Sequence, residues 1–487
     1  MSNVLGNLKP TALFKNFEAL TQIPRGSGNE KQVSDFLKKF GEDLGLETIQ
    51  EECLNIIIKK PATTGYENGP VVILQGHMDI VCAKEEGKEF DFEKDGIPLV
   101  LDGDMIRTDG TTLGADNGIA IAMAMDLLES KDIPHPPIVA LFTVSEETTM
   151  GGAENLNTKN IRGDILINID SEEEGIMTTS CAGGVDNIVE LPIILEDKDN
   201  KGNKGYKISI KGLLGGHSGI EIDKNRANAN ILMGRVLDDL REEIFFDLYD
   251  IYGGEKINAI PKFAHAHIII DGNDVDELNK VIDNYNEIFR NEYKTADPNI
   301  KVAISDCDIK DQVFSLETKN SCIDILKLIP NGVQTMSADI EGLVESSTNL
   351  GVLQCDEDKI IFRNAVRSSV LTLKYEINSK IEILSHLNGG KMILEADYPE
   401  WEFKKESRIR DLMAKIYKQT YGKDMEVAAI HAGLECGLLK EKVGDIDMVS
   451  IGPDIHDVHT PDEHISASSI QRVFEFLCKT LKELNSK

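Results

Sequence analysis

Hydrophobic and polar positions fall into two textures along the chain. Val33, Phe36, Leu37, Phe40 and Leu44 recur at helical spacing behind Ser27 and Glu30, a pair that fits a capping box. The pattern predicts an amphipathic helix lying on a core. Short continuous apolar runs follow at 70–74 (PVVIL), 138–144 (IVALFTV) and 164–169 (DILINI), the texture of strands buried on both faces of a sheet. They end in Gln75-Gly76-His77-Met78-Asp79, in Ser145-Glu146-Glu147 and in Asp170. Between the first two, Gly114-Ala115-Asp116-Asn117-Gly118 leads into IAIAMAMDLLES, which reads as a helix on that sheet. Strand, helix and strand in alternation predict an α/β fold with ionisable groups at the carboxyl ends of the strands, where open α/β sheets place ligands.

From about Asp186 the texture changes to charged, alternating segments at 206–210 and 264–270, interleaved with amphipathic helices at 228–243 and 275–293. This predicts an inserted α+β lobe over 186–398, large enough for two subdomains. A helix at 407–420 and the apolar segment 448–452 restore the first texture. Residues 1–185 and 399–487 are therefore expected to form one discontinuous α/β domain, a mixed sheet flanked by helices, with the lobe inserted as a lid.

Composition narrows the function classes. At 487 residues, 41% hydrophobic and 28% charged, the chain can build a sizeable core and has no signature of disorder. Its 52 basic and 84 acidic residues give a net charge of −32. A phosphate backbone or an anionic membrane surface would be repelled, so neither nucleic acid nor membrane is expected as a partner. The opening segment lacks a basic leader with an apolar core, and no apolar run approaches the ~20 residues that span a bilayer, so a cytoplasmic location is expected. The eight cysteines stand singly without a C-x-x-C pair, the usage of reduced, mostly core thiols.

The strand ends supply chemistry. A pair of divalent ions needs a shared carboxylate plus His, Asp or Glu ligands on rigid elements. His77, Asp116, Glu147 and Asp170 offer that inventory, and the C-terminal run 456–463 (HDVHTPDE) adds His459, with His456 as a competitor. Each alone reads more simply as a turn residue or helix cap; together they favour a metal site. Asp79, two residues from His77, could hold the imidazole ring while its other nitrogen binds metal. The adjacent Glu146 and Glu147 could divide the roles of general base and ligand.

The segments GHMDIV (76–81), DGTTLGADNGIAIAMAM (109–125), SEET (145–148), GGAENL (151–156), NIDSEEEG (168–175), KGLLGGHSG (211–219), NAIP (258–261), HAGLECG (431–437) and GPDIHDVHTPDEHI (452–465) resemble the aminoacyl-histidine, or cytosolic non-specific, dipeptidases (peptidase D). These form a branch of the M20 di-zinc metallopeptidases. The resemblance runs from about Pro24 to the C-terminus. It implies that His77, Asp116 and Asp170 bind one zinc and that Asp116, Glu147 and His459 bind the other. It further implies an Asp116–Asn117 peptide that is often cis, Asp79 as the orienter of His77, and Glu146 as the base. His217, carried on the inserted lobe, would be the donor to the developing oxyanion. Arg367, with Arg363 as competitor, would clamp the substrate carboxylate, helped by Asn258 and the Gly433 backbone. Zinc could be replaced by Mn²⁺ or Co²⁺, the substrates would be dipeptides including Xaa-His, and a homodimer is compatible. Rival readings are an N-acyl amino acid amidohydrolase or an aminotripeptidase of the same fold, and a non-catalytic metal- or peptide-binding protein. His135, His265, His267, His386, His431 and His464 are expected to be structural, and residues 172–174 and 85–86 to be solvated acidic faces.

Overall fold

The computed structural model describes residues 4–485. The chain folds into two compact units. The first takes in the chain up to Ser180, then Phe403–Ala429, then everything from Leu434 on; the second comprises Cys181–Glu402 with Ile430–Gly433.

The first unit is built on an eight-stranded mixed sheet. Its order is Glu47–Gln50, Ile56–Lys60, Ile138–Thr143, Val72–His77, Ile165–Asn168, Asp447–Ser450, Ile176–Cys181 and Glu426–Ile430. The strands from Ile138–Thr143 to Asp447–Ser450 run parallel in that order. Val72–His77 and Ile138–Thr143 are buried at every position, which explains why their sequences are unbroken apolar runs. Helix Ala115–Glu129 lies on strand Val72–His77, with helix Thr11–Thr21 against it, and helix Arg408–Tyr421 packs on strand Asp447–Ser450. Gly76 permits the close approach of the first of these helices, since a Cβ there would come within 2.6 Å of the Ala120 methyl. Parallel pairing brings the carboxyl ends of Val72–His77, Ile138–Thr143 and Ile165–Asn168 to one edge. A small four-stranded sheet, ordered Ile455–His456, His464–Ser466, Met105–Arg107 and Val100–Asp102, pins the turn that carries His459.

The second unit is a nine-stranded sheet whose strand pairs are all antiparallel. The amphipathic helices Ala229–Glu243, Val275–Glu292, Leu316–Leu328 and Leu371–Leu387 pack on it. Leu232, Val236, Ile268, Phe289 and Phe362 are among the fully buried side chains of its core.

The capping box expected at Ser27 and Glu30 does not form. The helix is Lys31–Asp43, with Glu30 at its N-cap and no side-chain cap bond. Both side chains are drawn elsewhere by stronger partners: Ser27 Oγ donates to Asp79 Oδ2 at 2.8 Å, and Glu30 Oε1 accepts from Gly28 N, Ser145 N and Ser145 Oγ. None of the eight cysteines is in a disulfide; Cys181, Cys322 and Cys436 are buried, whereas Cys82 is exposed. Among the described residues no helix is long and apolar enough to cross a membrane.

One buried charge sets a pH term in stability. Asp126, on helix Ala115–Glu129, is 7% exposed, and its Oδ2 has no hydrogen-bond partner. Burial first, then the neighbouring Glu129, pushes its pKa up from 3.8 to about 6. A folded-state pKa above the unfolded value means that stability falls as pH rises from about 4 to about 6, and the full cost is present above that. Asp126→Asn is therefore expected to be more stable than the parent at pH 7.5 by about 1–2 kcal/mol, with the difference vanishing near pH 4. Urea unfolding at the two pH values measures it.

Candidate functional site

The edge where the parallel strands end gathers the ionisable residues of the first unit. His77 is the last residue of its strand, and Asp170 lies two residues beyond Ile165–Asn168. Glu146 and Glu147 open the short helix Glu146–Thr149, entered through Ser145 in the left-handed region at φ 54°. Asp116 sits at the start of helix Ala115–Glu129, where Asp116 and Asn117 depart from helical angles and the peptide between them is cis. His459 also holds a left-handed conformation, φ 64°, in its turn. Non-glycine residues in this region are uncommon and strained, and two of them here flank one cluster.

Asp116 stands at the middle of that cluster. Its Oδ1 is 3.1 Å from His77 Nε2, which is also 3.3 Å from Asp170 Oδ1. Its Oδ2 is 3.2 Å from His459 Nε2, which is 2.9 Å from Glu147 Oε2. Two groups with metal-ligand spacing result, His77–Asp116–Asp170 and Asp116–Glu147–His459, sharing only Asp116. His77, Glu146 and Glu147 form a third close group. His456, the competitor, is absent from these groups and instead packs its ring 5.0 Å from that of His464.

Residues behind the cluster fix it. Asp79 is fully buried and accepts from Ser27 Oγ, Glu146 N (3.0 Å) and Glu147 N (3.2 Å). Its carboxylate lies 3.5 Å from His77 Nδ1, while its backbone carbonyl is nearer to the same nitrogen, at 3.1 Å. Asp79 thus orients the ring mainly through its main chain and spends its side chain on the Glu146–Glu147 turn. Glu463, in the C-terminal motif, has a role that its spacing does not announce. Its carboxylate, 2% exposed, accepts four successive backbone N–H groups, from Leu113, Gly114, Ala115 and Asp116, at 2.8–3.3 Å. Beneath it the buried Arg25 donates to Met78 O and Gly114 O. Glu435, in HAGLECG, accepts from Gln75 Nε2 at 2.6 Å and Thr143 Oγ1 at 2.9 Å, tying two of the site's strands. A run of four N–H groups at a turn gives no sequence signal; an acidic residue in an otherwise apolar, glycine-rich motif, as at Glu435, does.

The electrostatics are those of a crowded acidic centre. Burial, reinforced by Asp170, Glu435 and Glu147, pushes Glu146 up to about 9 despite the pull of His77. Burial likewise lifts Asp170 to about 6 and Glu172 to about 7. Hydrogen bonds to the Asp116 and Glu147 carboxylates raise His459 to about 10. His77 is raised well above 6.5 by Asp170, Asp116 and Asp79 even though burial opposes its charge. Glu172 and Glu173 are solvent-exposed, as expected of a solvated face, although Asp116 and Asp170 add to the rise at Glu172. The buried Glu147 Oε1 has no hydrogen-bond partner in the protein. Two imidazoles, three carboxylates and an orphaned carboxylate oxygen suit divalent cations that take mixed nitrogen and oxygen ligands.

In the second unit, Arg367, Asn258, Lys256 and Tyr398 line one cavity of about 450 Å³. Arg363 does not line it. The short strand Gly216–His217 pairs with Ala259–Ile260, and Ser218 N donates to Asn258 O. His217 Nδ1 accepts from Gly219 N and Ile220 N, both at 3.1 Å, which leaves the ring proton on Nε2. Burial and the charge of Arg367 lower His217, keeping the ring neutral. Gly433 packs against the Tyr398 ring. Of the histidines expected to be structural, the buried His431 bonds Ser347 Oγ at 2.7 Å, and His265 and His267 lie in a ring cluster with Tyr252.

Residues 73–483 match the family model described as peptidase family M20/M25/M40. The chain is 36% identical to the cytosol non-specific dipeptidase of Escherichia coli (strain K12) over 483 residues, covering 99% of each. It superposes on the crystal structure of aminoacylhistidine dipeptidase from Vibrio alginolyticus with a TM-score of 0.96 at 34% identity, covering 99% of this chain and 98% of that one. Aminopeptidase PepT from Bacillus cereus shares the fold at a TM-score of 0.56 and 16% identity, over 98% of this chain and 99% of its own.

Glu463→Gln keeps the shape of the side chain but removes the charge that holds the Asp116 turn. Loss of such an outer partner is expected to weaken divalent-cation binding about 10- to 100-fold, read by calorimetric titration of the metal-stripped protein, with the circular dichroism spectrum unchanged.

Proposed function

Because the chain belongs to peptidase family M20/M25/M40, we propose that it is a dipeptidase whose centre holds two divalent cations on either side of Asp116. The observation that carries this is the division of labour at one carboxylate, whose two oxygens face two separate ligand groups. His77, Asp116 and Asp170 hold one ion; Asp116, Glu147 and His459 hold the other. Zinc suits these donors, and Mn²⁺ or Co²⁺ can replace it. The activities named for the relatives from Escherichia coli and Vibrio alginolyticus point to dipeptides of broad composition, Xaa-His among them. The name of the former also favours a cytoplasmic location.

Bound there, the cations would polarise the scissile carbonyl and lower the pKa of water near it. Glu146 receives the proton of the attacking water and returns it to the leaving amine. Cations bound beside it would favour its carboxylate form, so that it is ready to accept that proton. His217, neutral and protonated at Nε2, donates to the developing oxyanion. Arg367 takes the carboxylate of the C-terminal residue, with Asn258 and Gly433 shaping its surroundings. The second unit acts as the lid in this reading, and a homodimer is compatible with it.

A panel of dipeptides, tripeptides and N-acyl amino acids, run on metal-stripped and zinc-restored protein, tests the reading. Dipeptides are expected to turn over fastest, only after metal is restored; faster hydrolysis of acylated amino acids would overturn it. Glu146→Gln is expected to lower kcat by about 10²- to 10⁴-fold while zinc content, measured by elemental analysis, is unchanged.

A further inference from the structure

Arg367 and Tyr398 lie on strands Lys359–Ser368 and Lys391–Tyr398, which flank strand Gly183–Pro192 on opposite sides. Both residues register against the same position of that middle strand, Gly184. A side chain at 184 would stand between them, since a Cβ there would come within 2.6 Å of the Tyr398 ring. With glycine there, Arg367 Nη1 reaches across and donates to the Tyr398 hydroxyl at 2.6 Å. The ring is held on another side by Gly433, where a Cβ would lie 2.8 Å from Cε2. Behind the strand end, the buried Lys374 donates to Tyr398 O at 3.0 Å and to Asp397 Oδ1 at 2.7 Å.

This arrangement leaves donors unused. Tyr398 Oη accepts from Arg367, so its own proton remains free, and among the described residues it has no other side-chain partner. Burial raises the phenol and keeps that proton in place. Arg367 Nε is buried without a partner, and among the described residues no carboxylate lies within 4.0 Å of the guanidinium. Asp186 lines the same cavity, but burial raises its carboxyl and weakens it as a counter-ion. Lys256 adds a further cation to the lining.

Resting on the dipeptidase reading, we propose that Tyr398 is a specificity-determining residue: it fixes the Arg367 guanidinium and donates its hydroxyl proton to the free C-terminal carboxylate of the dipeptide. Guanidinium and phenol together present donors to both oxygens of a carboxylate. An amidated or extended C-terminus would set an N–H against one of these donors and leave it unpaired, which is how a polar site rejects an analogue.

Steady-state kinetics of the zinc-loaded full-length chain test this with alanyl-leucine and alanyl-leucine amide. Tyr398→Phe keeps the ring between its two glycines and removes only the hydroxyl. It is expected to raise KM for the free dipeptide about 10- to 100-fold with kcat within about twofold, the size expected for one hydrogen bond to a charged group. The preference for free acid over amide should fall by the same factor. A merely structural role would shift both substrates alike, or kcat instead. An unchanged KM for the free dipeptide, or an equal rise for acid and amide, overturns the proposal. Absence of dipeptide turnover by the parent protein would instead overturn the dipeptidase reading and this inference with it. As a second variant, Gly433→Ala displaces the ring without removing the hydroxyl, and a smaller loss of acid-over-amide preference is expected; none would count against the role of the ring position.

Discussion

The geometry of the first unit turns on one carboxylate held in place before any ligand arrives. Asp116 directs one oxygen to His77 and the other to His459, and it can do so only because the turn that carries it is fixed. That fixing comes from Glu463, whose carboxylate gathers four consecutive N–H groups, and from Arg25, which holds Gly114 O and Met78 O from the core. Neither residue touches the cluster with its own charge centre. A buried carboxylate with four charge-assisted bonds is a rigid support, and each such bond contributes roughly 1.5–3 kcal/mol.

Around that support the protein accumulates charge that its own groups do not neutralise. Two like charges 4 Å apart repel by about 4 kcal/mol at an effective dielectric of 20. Asp116 lies within 4.8 Å of both Asp170 and Glu147, and Glu147 within 4.8 Å of Glu146, so carboxylates crowd one another at nearly this distance. Burial first and that repulsion second displace the proton affinities: Glu146, Asp170, Glu172 and Glu435 are all driven towards neutrality, while the carboxylates drive both histidines towards charge. Protonated imidazoles act as the positive charges available within the chain. Divalent cations would relieve the same repulsion more fully, which is why a cluster unfavourable as folded protein is favourable as a receptor for metal.

Much of this was legible in the sequence, for physical reasons that differ from residue to residue. His77, Glu146, Glu147 and Asp170 announce themselves because buried parallel strands are continuous apolar runs, so an ionisable group at the end marks the edge of the sheet. His459 was readable only through its motif, since nothing in the periodicity of 456–463 says which strands it will meet. Ser27 and Glu30 misled because a capping box is a local pattern, and tertiary partners outbid it: Asp79 accepts from Ser27, and Ser145 donates to Glu30. Glu463 could not be given its role from spacing: its partners are main-chain groups nearly 350 residues earlier, and main-chain donors leave no trace in the identity of side chains.

The second unit shows the same limit in another form. Arg367 carries an obvious chemical signal, whereas Tyr398 and Gly184 carry none, and what joins the three is register. Slipping one strand by a single residue would turn the tyrosine to the opposite face of the sheet and leave Arg367 without its acceptor. The buried Val185, Val189 and Leu191 on the middle strand, with Phe362 and Val366 beside them, set the register that places Arg367, whereas a register shift between Glu395 and Tyr398 brings the tyrosine to Gly184. A core built for stability therefore aligns one member of the polar pair and an irregularity in the outer strand the other, and the glycine between them follows from that meeting, since any side chain at 184 would part the two.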